Sequence, residues 1–173
     1  MTREMIRLQA AMGSFNYRIV GVAVRDDEVL LHRAVTDDFW ALPGGRAELL
    51  EPAEATLRRE MREELDVEVR VERLLWVVEN FFTFRGADHH ELALYFLIGL
   101  PPDSLPATAR RPFRGDEQGL ELVFEWHPRA GLDRVRLYPT FLREALRSLP
   151  ETPVHVVHTD PTEGEVEASA AAE

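Results

Sequence analysis

The chain has 173 residues, is 45% hydrophobic and contains no cysteine. That fits one globular domain able to bury a core, and it excludes a disulfide framework, a thiolate zinc site and a cysteine nucleophile. The formal charge of −11 argues against binding to a nucleic-acid duplex, whose affinity comes mostly from basic side chains displacing counterions from phosphates. Residues 151–173 hold six acids and no base, which leaves 25 acids against 20 bases, or −5, on the rest of the chain. The expected organisation is a single domain over residues 1–150 and an acidic, Ala-rich tail over 151–173, in which PVHVV can add an edge strand. No apolar run is long enough to span a bilayer, and MTREMIRLQAAMGSF lacks the features of a secretory signal, so the expectation is a cytoplasmic protein without a membrane partner.

In chain order, Phe15 to Ala34 predicts a hairpin of RIVGVAV and EVLLHRA about the turn Asp26-Asp27. Phe39 to Leu42 predicts a short strand that stops at Pro43-Gly44-Gly45, followed by a loop. Pro52 suits the first turn of a helix that continues to about Leu65. Val67 to Phe84 and Glu91 to Leu100 predict an antiparallel pair with a turn over 86–90. Pro101 to Gly119, with four prolines and two glycines, predicts a long loop, and Leu120 to Trp126 a strand. Tyr138 to Leu149 has apolar residues near helical spacing and predicts a second helix packed on the sheet.

The stretch from Gly44 to Val67 holds seven carboxylates in 24 residues. On a helix, Glu60, Glu63 and Glu64 share an arc of about 100°, with the apolar stripe Leu57, Met61 and Leu65 directly beside it. Glu60 and Glu64, spaced i,i+4, repel one another unless a cation neutralises them. Oxygen donors of this kind suit Mg²⁺ or Mn²⁺. The ordinary reading, a solvated helix whose acids pair with Arg58, Arg59 and Arg62, is outweighed by the added glycine pair and by Glu51 at the helix start.

Gly45, five residues, Glu51, seven residues, then Arg59-Glu60-Met61-Arg62-Glu63-Glu64-Leu65-Asp66-Val67 resembles the Nudix box, GX5EX7REUXEEXGU with U aliphatic. The single departure is Asp66 in place of the late Gly, a residue type that tolerates the left-handed conformation this position takes. The resemblance implies an α/β fold, the Nudix α/β/α sandwich with a mixed sheet, in a hydrolase that cleaves a nucleoside diphosphate linked to another moiety. Nucleotide sugars, ADP-ribose and nucleoside triphosphates are the implied substrates. It further implies Glu60 and Glu64 as metal ligands with the Gly44 carbonyl, Glu63 as a further ligand or base, and Arg59 and Glu51 as orienting residues. The family places its general base variably, and Glu117, just before the strand ELVFEW, is the first candidate here, followed by His89, His90 and Glu91.

Glu79 and Asn80 interrupt an apolar strand, which marks either a substrate-facing position or simply the outer face. Arg110, Arg111 and Arg114 could fork onto a phosphate, and Phe81, Phe82, Phe84, Tyr95 and Trp126 could stack a base. Solvated arginines and core aromatics are the more common use of such residues. A non-catalytic Nudix-fold nucleotide sensor is the alternative function. It predicts lost metal carboxylates or an attached effector domain, whereas all the glutamates of the box are present. PVHVV or an exposed sheet edge could also join two copies as a homodimer.

Overall fold

A computed structural model describes residues 4–162 apart from Gln118, so the acidic tail from residue 163 onward lies outside the described residues. The strands are β1 (Arg7–Ala10), β2 (Gly13–Arg25), β3 (Glu28–Ala34), β4 (Gly44–Arg46), β5 (Arg70–Phe84), β6 (Ala87–Gly99), β7 (Phe113–Glu117), β8 (Leu120–Pro128) and β9 (Val154–Thr159). The helices are α1 (Ala53–Leu65), α2 (Leu105–Thr108) and α3 (Leu142–Ala145), with a 3-10 segment over Arg129–Arg134.

The strands join in the order β7-β8-β3-β2-β6-β5-β9, and β1 and β4 also pair with β2. The sheet is mixed, because β2 with β6 and β5 with β9 run parallel while the other pairs are antiparallel. Side chains alternate between faces along a strand. Ile19 and Ala23 therefore pack with Leu57 and Met61 of α1, while Val20 and Val22 pack with Leu137, Leu142 and Leu146 on the opposite side. Each fully buried Leu or Met contributes about 1.5–3 kcal/mol through removal of apolar surface from water. The result is the expected α/β/α sandwich.

Four local expectations change. The β2–β3 hairpin is paired only at its tip, Val24 with Val29 and Arg25 with Glu28, because β3 departs to pair with β8 along its length. Phe39 to Leu42 makes only single bridges, at Trp40 and Ala41, whereas Gly44-Gly45-Arg46 is itself a strand against β2. The stretch 101–119 holds α2 and β7; Phe113 of β7 is buried and stacked on Phe124 of β8. The helix expected over 138–149 contracts to α3, because the i→i+3 bonds Leu142 N–H to Pro139, Arg143 to Thr140 and Arg147 to Glu144 close it with tight turns. Leu137, Leu142 and Leu146 are nevertheless all buried, so the apolar spacing is satisfied without a long helix.

Helix α1 ends at Asp66, which takes the left-handed conformation (φ 54°, ψ 39°) and donates its N–H to the Arg62 carbonyl at 3.0 Å. Asp66→Gly should leave unfolding free energy within about 1 kcal/mol of wild type, since relief of left-handed strain is offset by glycine's greater chain entropy. Asp66→Val should lose about 1–2 kcal/mol, because a β-branched side chain resists this conformation. Urea denaturation of the two variants checks both values.

Candidate active site

The glycine pair of β4 sets how closely α1 approaches the sheet. Gly44 has φ 138°, and a Cβ there would run into the Ile19 carbonyl and the Val20 Cα of β2. A Cβ on Gly45 would occupy the place of the Glu60 carboxylate. The backbone is thus bare on both sides, and the acidic edge of α1 lies directly against it.

Glu51 and Arg59 clamp the start of this arrangement. Arg59 donates Nε to Glu51 Oε1 and Nη2 to Oε2, both at 2.9 Å, in a two-pronged pair. Glu51 also accepts from Thr56 Oγ1 at 2.8 Å and from the Glu48 N–H at 3.2 Å. Its hydrogen bond with Arg59 outweighs burial and lowers its pKa to about 2. Arg59 Nη1 reaches on to Glu60 Oε1 at 2.6 Å and Glu63 Oε2 at 3.3 Å, and Nη2 bonds the Arg46 carbonyl at 3.2 Å. One guanidinium therefore fixes three of the carboxylates and the strand beside them.

Glu60, Glu64 and Glu117 each bring a carboxylate oxygen to within 4.8 Å of the others. Glu60 and Glu64 are only 4% and 3% exposed. Burial raises the pKa of Glu60 in spite of Arg59, and burial with the fields of Glu117 and Glu60 raises that of Glu64 well above the usual carboxylate value. Both Glu64 oxygens are buried without a hydrogen-bond partner. His32 Nδ1 lies 3.6 Å from Glu64, but burial and Arg18 push this imidazole down to about 3, so the contact is not an ion pair. Three converging carboxylates with two orphaned oxygens are the donor set of a hard divalent cation, which neutralises their repulsion and satisfies the lone pairs. The cluster is a potential metal centre.

On the opposite face of the sheet from α1, a cavity of about 440 Å³ is walled by β2, β5 and β6 and by loops around Phe39, Tyr138 and Asp160. Asn16, Arg18 and Val20 line it from β2, His89, Glu91 and Tyr95 from β6, and Asn80 and Phe82 from β5. Arg18 joins the cavity to the acidic cluster, because it donates Nη2 to the Gly44 carbonyl at 2.9 Å. Burial works against its charge, but the fields of Glu91, Tyr95, Glu64 and Glu117 prevail and raise its pKa.

Of the other residues singled out from the sequence, Glu63 is partly exposed on α1 and held by Arg59. Arg110 and Arg111 are exposed after α2, and Arg114 pairs with Glu121 at 3.1 Å on the surface; none lines the cavity. Asn80 lines it, whereas Glu79 points to the other face and meets His155 Nε2 at 2.8 Å. His89 lines the cavity, bonded to Ser14 Oγ at 2.8 Å and stacked on Phe82, while His90 packs between Phe15 and Phe81. Phe84 lines the cavity but Phe81 does not, and Trp126 lies elsewhere, under Arg25 and bonded to the Pro106 carbonyl. Arg18, Arg46, Asn16, His32 and Asp160 escaped notice in the sequence. The signal for two of them was the alternation Asn16, Arg18, Val20, Val22, a polar entrance to an otherwise apolar strand face.

Two predictions follow from the electrostatics. Glu51 binds its proton less readily in the folded state, so its contribution to stability is fully present above about pH 4.5 and is lost as pH falls toward about 2. Stability profiles of wild type and Glu51→Gln should therefore converge across that window. Glu64 has the opposite sign, its contribution being lost as pH rises through its raised folded pKa. Metal-free Glu64→Gln should accordingly be more stable than wild type at pH values above that raised pKa, because the carboxamide carries no buried charge. Saturating Mg²⁺ or Mn²⁺, at 100 times the dissociation constant, should add about 2.7 kcal/mol to wild type alone. Thermal and urea denaturation with and without metal checks this reversal.

Among proteins of known kind, a MutT-like protein of Streptomyces ambofaciens is 42% identical over 69 residues, which span 39% of this chain and 44% of that relative. An ADP-ribose pyrophosphatase from Streptococcus suis has a similar structure, with a TM-score of 0.54, 16% identity, and 82% of this chain and 98% of that one covered. The MutT protein of Methanosarcina mazei Go1 gives a TM-score of 0.57 and 16% identity over 79% of this chain and 92% of that one. At these identities the likeness establishes the fold. No helix among the described residues is long and apolar enough to cross a membrane. The NUDIX domain matches residues 16–149, most of the chain and all of the box, and the protein belongs to the NUDIX family.

Proposed function

We propose that the protein is a Mg²⁺- or Mn²⁺-dependent hydrolase that cleaves the diphosphate linkage of a nucleoside diphosphate joined to another moiety: a nucleotide sugar, ADP-ribose or a nucleoside triphosphate. The observation that carries this reading is the convergence of Glu60, Glu64 and Glu117 at the end of α1, with Arg18 linking that cluster to a cavity in the size range of small-molecule sites. The solved neighbours named for ADP-ribose and as MutT support a nucleotide ligand.

Glu60, Glu64 and Glu117 hold the metal in this reading, with the Gly44 carbonyl as a further oxygen and Glu63 as an additional ligand or base. The bound ion supplies charge neutralisation of the diphosphate and a lowered pKa for the attacking water. Arg59, fixed by Glu51, keeps Glu60 in place, and Arg18 and Arg46 give the anion a cationic wall. Glu117 stands on a strand end and is less buried than the other two, which suits a group that takes a proton from water. The intact glutamate set favours hydrolysis over nucleotide sensing. In the same reading residues 1–150 form one hydrolase domain and 151–173 an acidic tail that begins with the edge strand β9, in a cytoplasmic protein that can pair as a homodimer.

Hydrolysis of ADP-ribose, nucleotide sugars, dinucleoside polyphosphates and nucleoside triphosphates, with and without Mg²⁺ or Mn²⁺, tests the proposal. Turnover should require metal, and Glu64→Gln should lower kcat by on the order of 10³-fold, the equivalent of several kcal/mol of transition-state stabilisation. Metal-independent turnover, or an unimpaired Glu64→Gln protein, would remove the carboxylate cluster from the mechanism.

A further inference from the structure

Strand β9 and Asp160 follow the matched domain, which ends at residue 149. β9 runs parallel to β5 with Asn80 opposite His158, and the Asp160 N–H then bonds the Phe81 carbonyl at 2.9 Å. The Asp160 side chain is buried and meets four polar groups. They are Asn80 Nδ2 at 3.0 Å, the Thr140 N–H at 2.7 Å, Thr140 Oγ1 at 2.9 Å and His158 Nε2 at 3.1 Å. This carboxylate therefore fastens β9 to β5 and to the segment that leads into α3.

The arrangement also decides which way a carboxamide faces. A carboxylate only accepts hydrogen bonds, so Asn80 must turn its NH₂ toward Asp160 and its oxygen away. Asn80 is 2% exposed, lines the cavity, and its Oδ1 has no partner. Asn16, 4% exposed on β2 and separated from Asn80 by Glu91 of β6, has its Oδ1 in the same condition. Buried polar atoms without partners are rare, and two on one cavity wall mark places where a ligand completes the hydrogen bonding.

We infer that Asn80 is a specificity residue whose carboxamide oxygen accepts a hydrogen bond from the bound nucleotide derivative, and that Asp160 is the positioning residue that sets this polarity. The inference rests on the nucleotide reading of the same cavity. The ligand group is an N–H or O–H donor, supplied either by the edge of a base or by a hydroxyl of the linked sugar. Arg18 and Arg46 line the same cavity and supply donors for the phosphates, whereas Asn80 supplies an acceptor, a group of the opposite hydrogen-bonding sense.

Calorimetric titration of the full chain without metal, using ligand pairs that differ by one donor, tests the inference. GMP against IMP and AMP against purine riboside 5′-monophosphate probe the base, and UDP-glucose against UDP-2-deoxyglucose probes the sugar. Wild type should bind the donor-bearing member of one pair at least tenfold more tightly, and Asn80→Ala should abolish that difference. In Asp160→Asn the new amide donates to Asn80, which must reverse and present its NH₂, so the preference should invert. A purely structural Asp160 would instead weaken both members equally, and that result overturns its positioning role. If Asp160→Asn does not fold, Asn80→Ala decides alone: equal loss for both members, or none, overturns the inference. Hydrolysis without Asn80-dependent binding sinks this inference only, whereas Asn80-dependent binding without metal-dependent hydrolysis sinks the hydrolase reading only.

Discussion

Two carboxylates held almost wholly out of water, one turn apart on the same helix, are the constraint around which the rest of the molecule is arranged. Glu60 and Glu64 cost free energy in the metal-free fold, and the protein surrounds them with devices that keep them there. The bare backbone of Gly45 leaves room for one carboxylate. On the other side, a Cβ at Gly115 would collide with the Glu64 carbonyl and the Phe124 ring, so glycine there lets β7 lie close to the end of α1 and deliver Glu117. Arg59 offsets part of the charge at Glu60 but makes no bond to Glu64, whose oxygens stay unpartnered. The uncompensated charge is concentrated at one point, a pattern typical of sites organised for chemistry rather than for stability.

An acidic protein that handles an anion needs local inversions of field, and Arg18 is the main one. It grows from a polar position on an otherwise apolar strand face, spans from the cavity to the Gly44 carbonyl, and keeps its charge under the influence of acids on both sides. The glycine strand, the acidic helix edge and the cavity are thereby coupled through a single side chain. The mixed topology makes this possible: β2 pairs with β1, β3, β4 and β6, and so carries residues into both the carboxylate region and the cavity.

How much was legible in the sequence follows from how each feature is encoded. Helix α1 was readable because thirteen residues of good helix formers carry an apolar stripe and a fixed set of glutamates. The long strands β5 and β6 were readable from their β-branched and aromatic runs. Strands β4 and β7 were not, because each uses glycine where closeness matters, and glycine has no side chain with which to show a period. The carboxylates of the box were legible as a group through their spacing. Arg18, Asn16 and Asp160 come together only through strand pairing between distant segments, and Asp160 is separated from Asn80 by eighty residues. The surface arginines 110, 111 and 114 show the converse: residue type suggested phosphate binding, but the chain directs them to solvent.

The parallel docking of β9 has a consequence for motion. Among the described residues β9 is held along one side only, by β5, and its side chains are mostly exposed, so little apolar burial opposes its detachment. Its anchor is instead the polar knot at Asp160, at the rim of the cavity. Edge elements of this kind open at lower free energy than central strands. Because Asp160 lines the cavity, detachment of β9 and widening of the pocket are one displacement.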